Sequence, residues 1–296
     1  MPAYVDRRVV DLEAAELAAR VAAARLGAAD PQLIRLGMNA IYRCDDIVLR
    51  VATPNAPADL SIEFADVLGR AGIRVAAAAS DLVVDIHGHA VTAWEYVESS
   101  GAPIDWRSVG AEVAKLHRLD PDASPDGLPT PSPVEFPWWD HESLLDDVDD
   151  LLDADARVGL RSAIDRHRGW RDWDPARAVL CHGDVHPGNV IMTDQGPVLV
   201  DWDLLCVAPP GWDHAPMMTW AQRWGGAPGE YEALADGAGW SARNDPFGEA
   251  VAELRLVSAT LMRLKVSRTV PAAAPEAMRR LAFWRGDPDA PIWQAQ

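Results

Sequence analysis

The first hundred residues show the hydrophobic periodicity of one helix followed by short strands. Apolar residues recur at helical spacing between residues 11 and 26, and Gly27 follows as a C-cap. Three short apolar runs then predict an antiparallel meander, with strands over 32–36, 40–44 and 47–52. The residues at helical spacing are Leu12, Leu17, Val21 and Leu26.

The rest of the chain divides into more strands and then mostly helices. A helix is predicted over 58–72, and two or three strands over 74–78, 82–86 and 90–97. Helical periodicity dominates after residue 105, and an exposed Pro- and Ser-rich loop is predicted over 120–137. The predicted helices cover 106–119, 141–152, 156–170 and several segments beyond 212. A small β insert is predicted with strands over 178–181, 189–193 and 198–201.

This order of elements predicts an α+β fold with two lobes. The small β-rich N-lobe would span residues 1–97, and the larger, mainly α-helical C-lobe would span residues 98–296. A cleft between two such lobes is a natural place for a ligand.

The composition and net charge of the chain limit the classes of molecule that it could bind. The 296 residues are 49% hydrophobic, enough for a large core, and their formal net charge of −18 disfavours nucleic acid and anionic membrane. An acidic surface would attract a cationic ligand, although solubility alone is the commoner reason for such a surface.

The chain also indicates a cellular compartment. Cys44, Cys181 and Cys206 are odd in number and lack the spacing of a metal site, which favours a reducing environment. The first residues are charged, unlike a signal peptide, and no apolar run reaches the roughly 20 residues that span a bilayer. We therefore expect a cytoplasmic protein.

Oxygen-bearing side chains concentrate at the ends of the β insert. The segment His182-Gly183-Asp184-Val185-His186-Pro187-Gly188-Asn189 precedes one predicted strand, and Asp201-Trp202-Asp203 follows the next. Carboxylate and amide oxygens suit Mg²⁺ bound together with phosphates, and a carboxylate without a metal could accept a proton from an attacking hydroxyl.

The first segment resembles the catalytic loop His-x-Asp-x-[Lys/His]-x-x-Asn of protein-kinase-like enzymes. Its form His-Gly-Asp-x-His-x-x-Asn is similar to that of aminoglycoside phosphotransferases and related small-molecule kinases such as choline kinases. Asp201-Trp202-Asp203 stands where protein kinases carry Asp-Phe-Gly. The resemblance implies a protein-kinase-like fold, ATP or GTP and Mg²⁺ as cofactors, and phosphoryl transfer to a small-molecule hydroxyl.

The resemblance also implies a role for each matching residue. Asp184 would orient and deprotonate the acceptor hydroxyl, and His186 would contact the transferred phosphoryl group. Asn189 and Asp201 would hold Mg²⁺, and Asp203 would assist the metal or support the turn. The residues implied to brace the loop without reacting are His182 and Asp213, the latter also as a helix N-cap.

Residues of the N-lobe are implied to bind the nucleotide. The turn that contains Gly37 and Asn39 lies where the family covers the phosphates, and Arg50 stands at the usual phosphate-binding Lys. Glu63 in the next helix would pair with Arg50, although a solvated Glu is nearly as plausible. The hinge residues implied to bind adenine are Glu95, Tyr96 and Val97.

The acceptor site is less defined. An acidic stretch over 140–150 follows Trp138-Trp139 and could bind ammonium groups, but we favour a solvated helix surface for it. Tryptophans in the predicted C-terminal helices belong mostly to the core, and one or two of them would line a pocket. They are Trp212, Trp220, Trp224 and Trp240.

Two other classes of function fit parts of the pattern. A metal-dependent hydrolase could use a His/Asp cluster. That cluster would consist of His182, Asp184, His186, Asp201, Asp203 and His214. The departure of Arg50 from Lys, with a Gly-poor loop, would also suit a non-catalytic nucleotide-binding protein.

Overall fold

A five-stranded antiparallel sheet with two helices forms the smaller lobe of this computed structural model, which describes residues 6–294. Across the sheet the strands lie in the order β1 (Gln32–Leu36), β2 (Ala40–Cys44), β3 (Ile47–Ala52), β5 (His89–Glu95) and β4 (Ala78–Ile86). The Asp11 carboxylate caps the first helix, and Gly27 ends it in the left-handed conformation. The two helices are α1 (Leu12–Leu26) and α2 (Asp59–Arg70).

The first three strands have the predicted bounds, but the strand predicted over 74–78 is wrong. The residues before Ala78 contribute only one bridge, between Val75 and Leu199. Arg74 is instead tied to the larger lobe, because Glu112 accepts from its backbone N–H at 3.1 Å and Leu199 donates to its carbonyl at 3.1 Å. This segment connects the lobes rather than extending the sheet.

The larger lobe is mainly helical, as expected. Its helices are α3 (Trp106–Leu116), α4 (His141–Asp147), α5 (Ala154–Arg166), α6 (Gly211–Met218), α7 (Trp220–Arg223), α8 (Glu230–Ala238), α9 (Pro246–Ser267) and α10 (Ala274–Trp284). The core is centred on three aromatic rings, because Trp139 packs 5.0 Å from Trp170 and 4.4 Å from Trp212. Within residues 6–294, no helix is both long enough and apolar enough to cross a membrane.

The β insert forms two ladders instead of one small sheet. Strand β7 (Val190–Thr193) pairs with β8 (Gly196–Leu199), which confirms the predicted strand–turn–strand unit. Strand β6 (Val179–Cys181) pairs with β9 (Cys206–Ala208), a strand that the sequence did not predict. The two loops that carry the motif residues thus leave the ends of neighbouring ladders.

An apolar cluster joins α2 to the β insert. Phe64 and Leu68 of α2 are buried with Leu180 and Leu205, and the Phe64 ring meets the edge of Trp202 at 5.8 Å. Trp202 lies between Asp201 and Asp203. Packing against α2 of the smaller lobe therefore fixes the position of the Asp201–Asp203 turn.

Candidate active site

Asp213 holds the backbone of the loop that begins at His182. Its carboxylate accepts from the N–H groups of His182 at 3.0 Å and Gly183 at 2.8 Å, and contacts His117 Nε2 at 2.9 Å. Burial disfavours its charge, but His117 and these donors outweigh burial and hold the pKa of Asp213 below its usual value. Because α6 begins at Gly211, Asp213 lies in the first turn, so the predicted N-cap position is wrong.

His182 is fully buried, and backbone groups engage both of its ring nitrogens. Nδ1 lies 3.3 Å from the N–H of Asp184, and Nε2 lies 3.1 Å from the carbonyl of Val200. Nδ1 therefore accepts and Nε2 donates, which leaves the ring no lone pair for a metal. Burial lowers the pKa of His182, so the ring is neutral. Gly183 next to it has φ +91°, and an added Cβ would collide with the Leu204 carbonyl.

The Asp184 carboxylate has polar partners on both oxygens. Arg255 Nη1 lies 3.2 Å from Oδ1, while His186 Nε2 at 3.3 Å and Asn189 Nδ2 at 3.4 Å face Oδ2. Burial raises the pKa of Asp184, but the hydrogen bond from His186 and the charge of Arg255 hold it well below its usual range. The side chain is 30% exposed, so the ionised carboxylate remains in contact with solvent.

Arg255 is a site residue that the sequence did not indicate. It lies in the middle of α9, and its guanidinium donates to the Gly183 carbonyl as well as to Asp184. In the described part of the chain its Nε has no hydrogen-bond partner. No motif surrounds Arg255 in the sequence, so only the packing of α9 could reveal this contact.

His186 lies between Asp184 and a stack of tryptophans. Its Nδ1 accepts from the N–H of Gly188 at 3.1 Å, so its Nε2 carries the proton and points at Asp184. The ring stacks on Trp220 at 5.5 Å, and Trp220 stacks on Trp224 at 5.6 Å. Of the tryptophans considered from sequence, Trp220 is therefore the one whose ring stacks on a residue of the 182–189 segment.

Asn189 presents an open acceptor. Its Nδ2 donates to the Asp184 carbonyl at 3.0 Å, whereas its buried Oδ1 has no partner within residues 6–294. Asp201, held at φ 67° before its turn, has Arg35 at 3.7 Å as its ion-pair partner. Burial raises the pKa of Asp201, and the negative charge of Asp203 raises it further. An amide oxygen without a partner and a carboxylate whose charged form is disfavoured are both oxygen ligands of the kind that a divalent cation takes.

Asp203 links this turn to the smaller lobe. Arg50 Nη2 donates to its Oδ1 at 2.6 Å, and Asn39 Nδ2 donates to its Oδ2 at 2.7 Å. The turn that contains Gly37 is thereby joined to the loop that contains the motif acids. The structure thus brings Arg50 and Asn39, both expected at the nucleotide, to one carboxylate.

The ion pair expected between Arg50 and Glu63 does not form. Arg50 pairs with Asp6 at 2.7 Å and with Asp203, and neither contact involves α2. The helix turns Ile62, Phe64 and Leu68 toward the core, which leaves Glu63 exposed on the opposite face. Burial of the apolar face decides the orientation of α2.

The hinge residues differ in what their backbone offers. The N–H of Glu95 donates to Ala77 at 2.8 Å, and that of Tyr96 donates to Asp46 at 2.8 Å. In the part of the chain that the structure covers, the N–H of Val97 has no such partner. Among the three expected hinge residues, Val97 is therefore the one whose N–H has no backbone acceptor within residues 6–294.

The acidic stretch over 140–150 pairs with neighbouring helices. Lys265 of α9 contacts Asp147 at 2.6 Å, and Arg157 of α5 contacts Asp149 at 2.6 Å. Arg161 and Arg268 pair with Glu142 and Asp150 in the same way. These exposed pairs agree with a charged helix surface.

The residues of the hydrolase alternative do not converge on a metal-like cluster. Within residues 6–294, the metal-ligating side chains that come together are His117, Cys181 and Asp213, whose ligand atoms lie within 4.8 Å of one another. Asp213 in that trio already braces the loop. None of the six residues named for a hydrolase belongs to this trio.

Comparison with known proteins gives a family and a fold. Residues 39–246 match the model of the Phosphotransferase enzyme family. No curated protein matches the chain in sequence.

Similar solved structures are full-length matches at low identity. The GDP complex of an aminoglycoside 2′-phosphotransferase is 14% identical, with a TM-score of 0.69 over 92% of this chain and 97% of that one. A spectinomycin phosphotransferase bound to ADP and spectinomycin is 14% identical, with a TM-score of 0.64 over 89% and 90%. A choline/ethanolamine kinase family protein from Mesorhizobium loti is 18% identical, with a TM-score of 0.59 over 88% of both chains. The two-lobed kinase-like fold is thus confirmed.

Proposed function

Because the chain belongs to the Phosphotransferase enzyme family, we propose that it transfers the γ-phosphoryl group of ATP, or of GTP, to a hydroxyl of a small molecule. One observation carries the proposal. An ionised Asp184 contacts Asn189, whose buried Oδ1 is open within residues 6–294, while Asp201 on the following turn has only the exposed Arg35, at 3.7 Å, as its ion-pair partner. This arrangement provides both a proton acceptor and oxygen ligands for a metal.

Asp184 is the proposed catalytic residue. A carboxylate whose pKa is held low accepts a proton weakly, so it would orient the acceptor hydroxyl first and take its proton late in the transfer. His186 would keep its Nε2 proton directed at Asp184 and at the phosphoryl group beside it. Asp213 and His182 would keep the loop backbone in place.

The metal site is part of the same proposal. Asn189 Oδ1 and Asp201 would hold Mg²⁺, which would neutralise charge on the triphosphate. Asp203 would serve mainly as the anchor of Arg50 and Asn39, because donors from both already occupy its two oxygens.

The nucleotide would lie between the lobes, whose boundary we place between residues 97 and 98. Arg50 would bind phosphate oxygens through its guanidinium fork, and the turn with Gly37 and Asn39 would cover them. At the hinge, the free N–H of Val97 would donate to the base, beside the backbone of Glu95 and Tyr96. Glu63 lies outside this set, since it faces solvent.

The acceptor would enter on the side of His186 and Trp220. Similar solved structures hold spectinomycin or kanamycin, and with the net charge of −18 we infer an aminoglycoside, an amino sugar, another antibiotic or an amine metabolite. The same charge disfavours nucleic acid and membrane partners. We place the enzyme in the cytoplasm.

A two-part screen tests this function. Thermal unfolding with Mg-ATP and Mg-GTP should show a raised melting temperature for the nucleotide that binds. Release of ADP or GDP should then rise when one of a panel of aminoglycosides, amino sugars and choline-like amines is added. Failure of both nucleotides to bind, with no release above the acceptor-free rate, would refute the proposal.

A further inference from the structure

Residues 6–10 form a segment that runs along the nucleotide side of the smaller lobe. The N–H of Arg7 donates to Thr53 at 2.9 Å, and the N–H of Val9 donates to Met38 at 2.9 Å. The Val9 side chain is 3% exposed and joins the core cluster of α1 and the sheet. The segment is therefore fixed at the end of β3 and at the turn between β1 and β2.

This attachment places the Asp6 carboxylate on Arg50. Asp6 Oδ2 accepts from Arg50 Nη2 at 2.7 Å, and Asp6 Oδ1 accepts from the N–H of Asn55 at 3.4 Å. The two side chains are 16% and 20% exposed, so water screens their attraction only partly. One oxygen is held by the backbone and the other meets the guanidinium, which is the geometry of a carboxylate that orients an arginine.

Arg50 needs such a partner because a second carboxylate competes for it. Asp203 Oδ1 accepts from the same Nη2 at 2.6 Å, on the side of the proposed metal site. Without Asp6, attraction to Asp203 and to the charge of Asp201 would pull the guanidinium onto the motif acids. Arg50 would then compete with the metal for those acids and would be less available to the phosphates.

We propose that Asp6 is the positioning residue of Arg50, taking the place expected for Glu63 of α2. The inference rests on the proposed function, since it assigns Arg50 to the nucleotide phosphates. Through the bond between Val9 and Met38, the same segment also steadies the turn that contains Asn39. Orientation of the phosphate-binding cation thus comes from residues 6–10 and not from the neighbouring helix.

The opposite role for Asp6 would be that of a competitor that occupies Arg50 until nucleotide arrives. The anchorage of the segment argues against displacement, because backbone bonds of Arg7 and Val9 hold the chain next to Asp6, and leaving Arg50 would also break the bond from the Asn55 N–H. The buried Val9 adds an apolar anchor. A competitor would need to move easily, and this segment is held at Arg7 and at Val9.

The experiment compares Asp6→Asn with the matched control Glu63→Gln. The first variant removes a negative charge next to Arg50, and the second removes one from the exposed face of α2. Affinity for Mg-ADP by calorimetry is the main readout, with the melting temperature without ligand as the check on folding. A charged hydrogen bond contributes enough that Asp6→Asn should weaken nucleotide binding by about tenfold or more. Glu63→Gln should match the wild type, and Asp6→Glu should recover part of the loss.

The outcomes separate the two roles and the two proposals. Weaker nucleotide binding in Asp6→Asn, with an unchanged KM for the acceptor, supports positioning. Unchanged or tighter binding in Asp6→Asn, or an equal loss in Glu63→Gln, overturns it. If the wild-type protein itself binds neither Mg-ADP nor Mg-GDP, the proposed function fails before the role of Asp6 is tested.

Discussion

Asp184 keeps its negative charge because its neighbours outweigh its burial. Arg255 and His186 approach different oxygens of the carboxylate, and together they hold its pKa well below the ordinary value. Arg255 also donates a hydrogen bond to the Gly183 carbonyl, so one side chain fixes both the loop backbone and the Asp184 carboxylate. Orientation of the carboxylate and its charge state thus depend on a residue of α9.

Replacing Arg255 by Met should change both the orientation of the Asp184 carboxylate and its pKa. The pKa of Asp184 should rise toward its usual value, which shifts the acidic limb of the kcat/KM profile to higher pH. Loss of a charged hydrogen bond should lower kcat by about tenfold or more. Lys265→Met is the control, because Lys265 lies on the same helix in an exposed pair with Asp147. Equal kcat and equal pH profiles for both variants would refute the role of Arg255.

The sequence indicated the candidate site residues that share one short segment. Asp184, Asn189 and Asp201 belong to motifs whose spacing is readable, and the structure brings the first two into contact. The partners supplied by distant segments, Asp6 and Arg255, have no local signal. Their roles depend on how residues 6–10 and α9 pack, which the pattern of single residues does not determine.

Helices α3 and α8 cross with their backbones in close approach. A Cβ added to Gly110 of α3 would collide with the Leu234 carbonyl, and one added to Gly237 of α8 would collide with the Arg107 carbonyl. The residue that follows α3 is His117, whose Nε2 contacts the Asp213 carboxylate that holds the loop at His182. The two glycines therefore allow α3 to lie close to α8, and this packing positions His117 against Asp213.

Gly110→Ala should destabilise the protein strongly. The collision is with backbone and cannot be relieved by a side-chain rotation, so we expect a loss of about 3 kcal/mol or more in the free energy of unfolding. Gly69→Ala is the matched control on α2, where no atom lies within 4 Å of the added Cβ. That change should stabilise by about 0.5–1 kcal/mol, by helix propensity. Urea denaturation of both variants measures the difference, and equal midpoints would contradict the close packing.

Elements bounded by short turns were readable from the sequence, and elements defined by long-range pairing were not. Strands β1, β2 and β3 follow one another through tight turns, and their predicted bounds hold. Strand β9 has only three residues and exists because Cys206 to Ala208 pair with β6. Likewise, the segment at Arg74 was diverted from the sheet by Glu112 of the other lobe.

Across the whole molecule, buried neutral histidines make stability depend on pH. His141 is 3% exposed beside Ser258, and His214 is fully buried. Burial lowers the pKa of each from 6.5 to about 4. Between these values the unfolded chain binds protons that the folded chain excludes, so stability is complete above the unfolded pKa and falls as the pH drops.

The free energy of unfolding should therefore decrease as the pH falls from 6.5 toward 4, by up to about 1.4 kcal/mol per pH unit for each histidine. His141→Gln should reduce this slope, because an amide does not titrate. His87→Asn, a change at an exposed histidine, should leave it unaltered. Denaturation curves at several pH values give the slopes, and identical slopes for wild type and His141→Gln would show that His141 does not titrate as described.

The most direct test of the whole account is Asp184→Asn, with turnover and nucleotide affinity measured on the same preparation. With the acceptor that gives the fastest ADP release, loss of the proton acceptor should lower kcat by about 10²- to 10⁴-fold. Affinity for the Mg-nucleotide should stay close to that of the wild type, because Asn189, Asp201 and Arg50 are unchanged. Near-wild-type turnover in this variant would contradict the assignment of Asp184 and the phosphotransfer mechanism built on it.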